Sequence, residues 1–331
     1  MKAVVLERAC EANELKISEI EKPQVKENYV VVKIEAFGLN HSEEIFRKYE
    51  VDMDFFKKPI VPGIECVGTI EESLDSKFKK GDKVIALMGG MGRSFNGSYE
   101  EYALLPIKNV FKVKTDLDFI KLAAIPETYY TAYGSLFICL DLKENDSLLI
   151  RGGTSALGIA SIIMAKSLGC RVIATTTDES KLELMEYLGV DKVIVDKNNF
   201  AEQMDETVDK ILELVGPRTV EESMRFLNYY GICCSTGVLG GVFSFENFDP
   251  IKQIPNGTYL TGFYSNYPKQ EEIDDIFEFL NQYAIEPLIG KTYLFEEVVQ
   301  YQQDLEDGAT NGKGVVAVSE ETKKLLLEKY R

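Results

Sequence analysis

The chain has 331 residues, of which 45% are hydrophobic and 27% are charged, and this length and balance are typical of a globular protein of two domains. With 37 basic and 54 acidic residues the formal net charge is −17, which disfavours binding to nucleic acid or to an anionic membrane surface. No apolar run reaches the ~18 residues that a membrane-spanning helix needs. The N-terminus lacks the pattern of a secretory signal, so we expect a cytoplasmic protein.

The cysteine and histidine content limits the chemistry that is available. Six cysteines are scattered without a C-x-x-C pair. Cys233 and Cys234 are neighbours in an expected strand, where adjacent side chains point to opposite faces. Free thiols in a reducing compartment are therefore expected. The single histidine, His41, excludes multi-histidine metal sites and most histidine relays.

The first part of the chain, up to about residue 115, has the pattern of β-strands. Short β-rich runs at 29–34, 66–70 and 83–87 alternate with turn sequences at 80–83 and 95–98. This alternation predicts an antiparallel barrel or sandwich.

From about residue 120 the pattern changes to alternating strands and helices. Strands are predicted at 148–150, 171–175, 193–195, 231–236 and 258–263, and helices at 156–168, 178–188, 205–215 and 219–227. Alternation at this spacing predicts a parallel doubly wound sheet.

The residues after about 265 lack a complete core of their own. They contain two charged helical patterns, at 271–284 and 295–307, and a last strand at 314–318. We expect this segment to fold back onto the first domain.

The strongest motif joins a short buried strand to a helix. It reads Leu148-Leu149-Ile150-Arg151-Gly152-Gly153-Thr154-Ser155-Ala156-Leu157-Gly158, in the position of the dinucleotide-binding turn of a βαβ unit. Gly153 would make the tight turn, Gly158 would let the helix pack closely, and the helix N-terminus would hold a pyrophosphate. Ser155 replaces the usual middle glycine, and the alternative is a glycine-rich turn that binds nothing.

The end of the next predicted strand bears on the choice of cofactor. Its sequence is Thr175-Thr176-Thr177-Asp178-Glu179-Ser180-Lys181. The three hydroxyls and Lys181 suit the 2′-phosphate of NADP, whereas Asp178 would suit the ribose 2′-OH of NAD. Asp178 is alternatively a helix N-cap, and Lys181 a solvated surface lysine. We favour NADP(H).

Further motifs carry a resemblance to a known family. They are Gly38-Leu39-Asn40-His41-Ser42-Glu43, Pro62-Gly63-Ile64-Glu65-Cys66-Val67-Gly68, Gly81-Asp82-Lys83-Val84, Gly97-Ser98-Tyr99-Glu100-Glu101-Tyr102 and Ala123-Ala124-Ile125-Pro126-Glu127-Thr128-Tyr129-Tyr130-Thr131-Ala132-Tyr133. With the dinucleotide loop and in this order, the chain resembles the medium-chain dehydrogenase/reductase superfamily, specifically its zinc-independent quinone oxidoreductase branch. The resemblance implies an α/β fold in which a Rossmann doubly wound parallel sheet (123–264) is inserted in a GroES-like β-rich catalytic domain (1–122 and 265–331).

The resemblance also implies that no metal is bound. Zinc alcohol dehydrogenases of this superfamily carry a cysteine in the first motif and a histidine before the glutamate of the second, where Asn40 and Ile64 stand here. Their cysteine-rich loop corresponds to residues 89–97, which contain no cysteine. His41, Glu65 and Cys66 do not make a convincing set of zinc ligands. Without a Lewis acid, hydride donation to an already activated acceptor is the expected chemistry.

The resemblance assigns cofactor contacts residue by residue. It assigns the nicotinamide end to Thr131, Gly237, Val238 and Phe263, and the 2′-phosphate to Lys181 with Thr175, Thr176 and Thr177. The diphosphate contacts are those that the dinucleotide loop itself predicts, namely Gly153, Thr154, Ser155, Ala156, Leu157 and Gly158. Related NADP-dependent quinone reductases often carry a tyrosine after the third strand, where Asp196 stands here. An acid at that position disfavours a phosphate.

The substrate cleft is expected between the two domains, near Asn40, His41, Phe46, Tyr49 and Tyr129. Asn40 would hydrogen-bond a substrate carbonyl, or simply cap a turn. Tyr49 or Tyr129 would donate a proton after hydride transfer. The alternatives are packed aromatic side chains, with water as the proton source.

We therefore expect an NADPH-dependent reductase of quinones or α,β-unsaturated carbonyls. The alternatives are an enoyl-thioester reductase acting on acyl-CoA or acyl carrier protein, and an NADP-binding redox sensor with little catalysis. The strand Thr258–Phe263 resembles the edge strand through which family members dimerise, so a homodimer is expected.

Overall fold

The computed structural model describes every residue from Met1 to Arg331. The strands are β1 (Lys2–Val4), β2 (Ile17–Glu19), β3 (Tyr29–Gly38), β4 (Glu65–Ser73), β5 (Lys83–Leu87), β6 (Tyr102–Pro106), β7 (Val110–Lys112), β8 (Ser147–Arg151), β9 (Arg171–Thr176), β10 (Lys192–Val195), β11 (Val208–Glu213), β12 (Leu227–Ser235), β13 (Tyr259–Gly262), β14 (Ile289–Leu294) and β15 (Lys313–Ala317). The α-helices are α1 (His41–Ile45), α2 (Phe119–Leu122), α3 (Pro126–Tyr133), α4 (Ala156–Leu168), α5 (Leu182–Tyr187), α6 (Phe200–Gln203), α7 (Val220–Met224), α8 (Pro250–Gln253), α9 (Gln270–Gln282), α10 (Val298–Glu306) and α11 (Glu320–Lys329). Short 3₁₀ helices span Ala12–Glu14, Ile107–Asn109, Glu179–Lys181 and Phe295–Glu297, and π-helical turns span Phe46–Glu50 and Gly134–Cys139.

The chain forms two compact units. The first comprises residues 1–127, 266–279 and 286–331, and the second residues 128–265 and 280–285. The segment 280–285, which falls within the sequence-predicted return to the first domain, belongs to the second unit.

The first unit is built on a seven-stranded, mostly antiparallel sheet. Its order is β14-β15-β3-β4-β5-β7, and β6 also pairs with β3. The long strand β3 is buried along most of its length because it pairs with β4, β6 and β15. One apolar cluster from β1 to β15 forms the core. The antiparallel strands expected before residue 115 are confirmed.

The second unit is a parallel sheet of six strands in the order β10-β9-β8-β11-β12-β13. Every neighbouring pair is parallel. Numbered along the chain within this unit, the order is 3-2-1-4-5-6, which is that of the Rossmann fold. The predicted doubly wound sheet is confirmed, and α4 spans the predicted residues 156–168.

One predicted helix in this unit is wrong. Residues 205–215 contain β11 (Val208–Glu213), which lies between β8 and β12 at the centre of the sheet. Val208, Ile211 and Leu212 stand at i, i+3 and i+4, the spacing of one helix face, so periodicity alone favoured a helix here. The strand β14 and the C-terminal helix α11 were also not predicted from the sequence. None of the helices combines the length and the hydropathy that crossing a membrane requires.

Candidate functional site

The predicted cofactor contacts of the second unit meet at one edge of its sheet. Because parallel strands end on the same side, the loops after β8, β9, β11 and β12 are neighbours there. The amide of Gly153 donates to the carbonyl of Thr175 at 2.9 Å, which joins the first two loops. The amide of Gly237 donates to the carbonyl of Glu213 at 3.3 Å, which joins the other two.

The loop between β8 and α4 is closely packed. Gly152 has a φ of +86°, a conformation that favours glycine. Ser155 caps α4: its hydroxyl accepts from the amide of Gly158 at 3.0 Å and donates to the carbonyl of Gly152 at 2.9 Å. A Cβ on Gly158 would lie 2.5 Å from the Gly152 carbonyl oxygen. Ser155 stands where the motif usually has its middle glycine, and its two hydrogen bonds stabilise the turn.

The start of α4 has the geometry of an anion site. The helix has 13 residues, and the first amides of a helix have no acceptor within it. The amides of Ala156 and Leu157 have no other acceptor in the protein either. Free amides at the positive end of the helix dipole fit the diphosphate of a dinucleotide.

Thr175 and Thr176 take part in shaping this loop. Both are buried, with 3% of their surface exposed. The Thr175 hydroxyl accepts from the amide of Gly152 at 3.0 Å. The Thr176 hydroxyl accepts from the amide of Asp178 at 3.1 Å and lies 3.4 Å from the hydroxyl of Thr154. These contacts differ from the predicted role in holding a 2′-phosphate, because both hydroxyls already bond to the loop.

Of the residues assigned to the 2′-phosphate, Thr177 and Lys181 keep their polar groups free of the loop beyond β9. Thr177 is exposed, Lys181 is half-buried, and the Lys181 ammonium has no ion-pair partner. Asp178 is an N-cap, the alternative to a contact with the ribose of NAD: its carboxylate accepts from the amide of Ser180 at 2.9 Å. Hydrogen bonding to the Ser180 hydroxyl and amide lowers the pKa of Asp178.

Arg151, the last residue of β8, is the functional group that sequence reasoning missed. It is 1% exposed, and its Nη2 lies 2.6 Å from Oδ2 of Asp196. Its Nη1 donates to the Ser223 hydroxyl at 3.1 Å and to Glu222 at 3.2 Å, and its guanidinium lies over the ring of Phe200 at 3.8 Å. The negative charge of Asp196 is therefore neutralised inside the protein. An arginine that ends an apolar strand was the available signal, because a buried guanidinium needs an acid.

Glu213, at the end of β11, is a second buried acid beside this group. It is fully buried, and its carboxylate accepts from the Ser223 hydroxyl at 2.6 Å and from the amide of Val215 at 2.9 Å. Burial raises the pKa of Glu213, although the Ser223 hydrogen bond and the Arg151 charge oppose the shift. Glu213 holds the loop after β11 in place.

The predicted nicotinamide end is also assembled in the second unit. The rings of Phe263 and Tyr130 pack edge to face, with centroids 5.5 Å apart. A Cβ on Gly134 would lie 2.0 Å from the Phe263 ring, so the π-helical turn that follows α3 packs directly on Phe263. Thr131 is buried. At the end of β12, just before the predicted contact Gly237, the Thr236 hydroxyl lies 3.0 Å from that of Ser135.

Asn40, predicted to bind a substrate carbonyl, is instead part of a buried network in the first unit. Its Oδ1 accepts from the Lys313 ammonium at 2.8 Å, and its Nδ2 donates to Glu65 at 2.8 Å. Lys313 and Glu65 form an ion pair at 2.5 Å. Glu43 accepts from the Tyr99 hydroxyl at 2.7 Å, and burial raises the pKa of Glu43 to about 7. Asn40 is also the N-cap residue of α1, so its side chain positions protein groups.

This network does not fit a metal. No group of three or more histidine, cysteine, aspartate and glutamate side chains is arranged to hold a metal ion. The Lys313 ammonium contacts both Asn40 and Glu65, and a positive charge there opposes a cation. Burial raises the pKa of the Cys66 thiol, which disfavours the thiolate that zinc requires.

The other predicted substrate residues lie in different environments. Tyr49 is 69% exposed, and His41 is exposed with its Nδ1 3.0 Å from Glu44. The placement of Phe46 in a cleft is wrong: it is 1% exposed, in the core of the first unit, and packs on Phe56. Tyr129 is 2% exposed, and its hydroxyl has no hydrogen-bond partner.

Known proteins match both units of the fold. Residues 26–115 match the model of the alcohol dehydrogenase GroES-like domain, and residues 156–282 match the model of the zinc-binding dehydrogenase family. The chain belongs to the medium-chain dehydrogenase/reductase superfamily, and its curated relatives put it in the quinone oxidoreductase-like branch. The quinone oxidoreductase of Homo sapiens is 25% identical over 307 residues, covering 88% of this chain and 89% of that protein.

Solved structures share the fold at low sequence identity. AibC superposes with a TM-score of 0.85 at 22% identity, covering 97% of this chain and 96% of that one. A mycobacterial protein complexed with NADPH superposes with a TM-score of 0.81 at 24% identity, covering 96% of this chain and 99% of that one. Together with the two family models, the curated relatives make the protein an oxidoreductase of this superfamily.

Proposed function

We propose that the protein is an NADPH-dependent reductase of quinones or α,β-unsaturated carbonyls that works without a metal. The observation that carries this proposal is the loop between β8 and α4, with free amides at Ala156 and Leu157. It lies at the point of the sheet where the strand order reverses, the usual dinucleotide position of this fold. The quinone oxidoreductase relatives support the acceptor class.

The cofactor is NADP(H), which supplies the hydride when bound. The amides of Ala156 and Leu157 hold the diphosphate. The Lys181 ammonium and the exposed Thr177 hydroxyl hold the 2′-phosphate, since a free cation and a hydroxyl suit that group. Arg151 neutralises Asp196, so the acid after β10 does not repel the phosphate.

Residues of the second unit orient the nicotinamide ring. Phe263, packed against Tyr130, forms an apolar wall, and the backbone of Gly237 and Val238 lines the ring. Thr131 holds its carboxamide. Fixing the ring against the acceptor is the main contribution of such residues, because orientation lowers the entropic part of the barrier.

The Tyr129 hydroxyl binds the carbonyl oxygen of the acceptor. It is buried and has no partner in the protein, so a substrate oxygen would satisfy it. Burial raises the pKa of Tyr129, which keeps the phenol protonated as a hydrogen-bond donor. It stabilises the negative charge that develops on this oxygen, and water supplies the proton. Quinones and enones accept a hydride with this degree of polarisation, without a Lewis acid.

The test is the oxidation of NADPH and of NADH with a panel of acceptors. 1,4-Benzoquinone, a simple cyclic enone and crotonyl-CoA are each followed by absorbance with a metal chelator present. We expect turnover with the quinone and the enone and a preference for NADPH. Preferential turnover of crotonyl-CoA would favour an enoyl-thioester reductase instead. Tight NADPH binding without turnover of any acceptor would favour a redox sensor.

We also propose that the protein is a homodimer through strand β13. β13 is the last strand of its sheet, and one side of it is unpaired. Tyr259 on this strand is 54% exposed. An unpaired edge with exposed aromatic groups is usually covered. Sedimentation should give a species of twice the chain mass of 37.3 kDa, and a monomer at all concentrations would refute the proposal.

A further inference from the structure

Two cysteines meet at the carboxyl end of β12. Cys139 ends the π-helical turn that follows α3, and its thiol donates to the carbonyl of Gly262 at 3.5 Å. Gly262 lies in β13 opposite Ser235 of β12, the residue directly after Cys234. Ser135, one helical turn before Cys139, contacts Thr236 just after the same strand. The strand register and this contact together put Cys139 beside Cys234.

The surroundings of the pair are polar and adjoin the proposed nicotinamide end. The Cys234 thiol lies 3.2 Å from the Thr236 hydroxyl, which in turn lies 3.0 Å from the hydroxyl of Ser135. Gly237 follows directly in the chain. Cys234 thus lies two contacts from the backbone that is proposed to line the nicotinamide.

The two thiols differ in exposure. Cys139 is half-buried, whereas Cys234 is fully buried. Burial raises the pKa of Cys234 to about 12, so this thiol is inert on its own. A small oxidant from solvent reaches Cys139 first, and Cys234 is in place to resolve the product.

The remaining cysteines do not offer a comparable pair. All six thiols are free. Cys233, next to Cys234, points to the other face of the sheet into an apolar cluster. Cys66 and Cys170 are buried, and Cys10 is half-buried in the first unit.

We propose that Cys139 and Cys234 form a reversible disulfide when the protein meets a peroxide, and that this bond weakens binding of the cofactor. The peroxide oxidises the Cys139 sulfur to a sulfenic acid and is reduced, with its second oxygen leaving as hydroxide or water. The Cys234 sulfur then attacks the Cys139 sulfur. The S–S bond forms, the S–O bond breaks, and the departing hydroxide takes the Cys234 proton and leaves as water. Two thiols and one hydrogen peroxide thus give one disulfide and two waters.

The effect on the cofactor follows from the lost contact with Thr236. When the Cys234 sulfur is bonded to Cys139, it moves away from the Thr236 hydroxyl. The start of the loop that contains Gly237 then shifts. This second part rests on the proposed function, whereas the disulfide itself does not.

The first experiment maps the bond in the full-length protein. The protein is treated with hydrogen peroxide, alkylated and digested with trypsin. We expect a cross-link between peptides 122–143 and 226–252, which contain Cys139 and the pair Cys233–Cys234, and its loss after reduction with dithiothreitol. Cys233→Ala should keep the cross-link and Cys234→Ala should abolish it. Absence of the cross-link in the wild type, or its loss only in Cys233→Ala, would overturn the proposal.

The second experiment measures NADPH affinity before and after peroxide treatment. We expect oxidation to weaken binding about fivefold or more, a typical size for coupling between sites, with recovery on reduction. Cys139→Ser should be insensitive to peroxide, and Cys10→Ser, a matched half-buried control, should respond as the wild type does. Equal sensitivity of Cys139→Ser and the wild type would contradict the inference. If the reduced protein binds no NADPH, the proposed function and this effect both fail, while the peptide map still decides the disulfide.

Discussion

Arg151 and Asp196 form an ion pair across the carboxyl edge of the parallel sheet, with Nη2 and Oδ2 2.6 Å apart. Arg151 ends β8, and Asp196 directly follows β10, on the far side of β9. The pair links the first and third strands of the Rossmann order above the ribose end of the proposed cofactor site. The pair also explains why Asp196 is compatible with a bound 2′-phosphate. Arg151 neutralises the negative charge of Asp196, which would otherwise repel the phosphate.

Arg151→Met tests this pair through stability. Removing the guanidinium leaves Asp196 without its counter-charge in a mostly buried place, and breaking such a pair costs about 3–5 kcal/mol of the free energy of unfolding. Urea unfolding measures the loss. Arg225→Met is the control, because Arg225 pairs with Glu221 on the exposed surface and should cost less than about 1 kcal/mol. If the two variants lost the same free energy of unfolding, the ion pair of Arg151 and Asp196 would not stabilise the fold more than a surface pair does.

Lys181→Met tests the assignment of the 2′-phosphate. We expect the affinity for NADPH to fall about 10- to 150-fold, because a charge-assisted hydrogen bond of about 1.5–3 kcal/mol is lost. The affinity for NADH should be unchanged, since NADH has no 2′-phosphate. Titration of each cofactor by fluorescence measures both values. Lys166→Met, in an ion pair with Asp191, should affect neither cofactor. An equal loss for NADPH and NADH would contradict the assignment.

Glu43 predicts a specific pH dependence of stability. Its pKa is raised from 4.5 to about 7 in the folded protein, so the folded state binds more protons than the unfolded state between these values. The contribution of Glu43 to the free energy of unfolding is therefore fully present below pH 4.5 and is lost as the pH rises through 7. This contribution is on the order of 3 kcal/mol. Glu43→Gln should remove this part of the pH dependence.

Urea unfolding between pH 4.5 and 8 measures the Glu43 effect. Glu44→Gln is the control on the same short helix, because Glu44 is only half-buried. It should keep the wild-type slope. A slope in Glu43→Gln as steep as in the wild type would mean that the pH dependence comes from other groups.

Tyr129→Phe tests the proposed contact with the acceptor carbonyl. We expect kcat with an enone to fall about 10²–10³-fold, the usual effect of removing one donor to a developing oxyanion. NADPH affinity and stability should hold, since the hydroxyl has no partner in the protein. Tyr49→Phe, at an exposed position, should keep kcat. An unchanged kcat in Tyr129→Phe would mean that Tyr129 only packs inside the protein and does not contact the acceptor.

The fold was largely predictable because its strands and helices carry clear local patterns. The run Ala156–Leu168, capped by Ser155 and stopped at Gly169, has the bounds of α4. β11 was not predictable in this way, because Val208, Ile211 and Leu212 are spaced as on a helix face. This segment is a strand because it pairs with β8 and β12 on either side. Those pairings depend on the whole sheet and cannot be seen in the local sequence.

The parts of the site that depend on backbone geometry were predictable from the sequence. The hydrogen-bond partners of its side chains were less predictable. The loop that ends at Gly158 is recognisable from its spacing. The inward hydroxyls of Thr175 and Thr176, and the placement of Asn40 between Lys313 and Glu65, depend on residues distant in the sequence. The same holds for Arg151, whose acid partner lies two strands away.

The most direct test of the account is the fate of the hydride. The protein is incubated with a metal chelator, a cyclic enone and NADPH deuterated at the transferable C4 position, and the product is analysed by mass spectrometry and NMR. The account predicts one deuterium at the β-carbon of the saturated ketone, at a rate that chelation does not change. A product without deuterium, or turnover that requires added zinc, would contradict it.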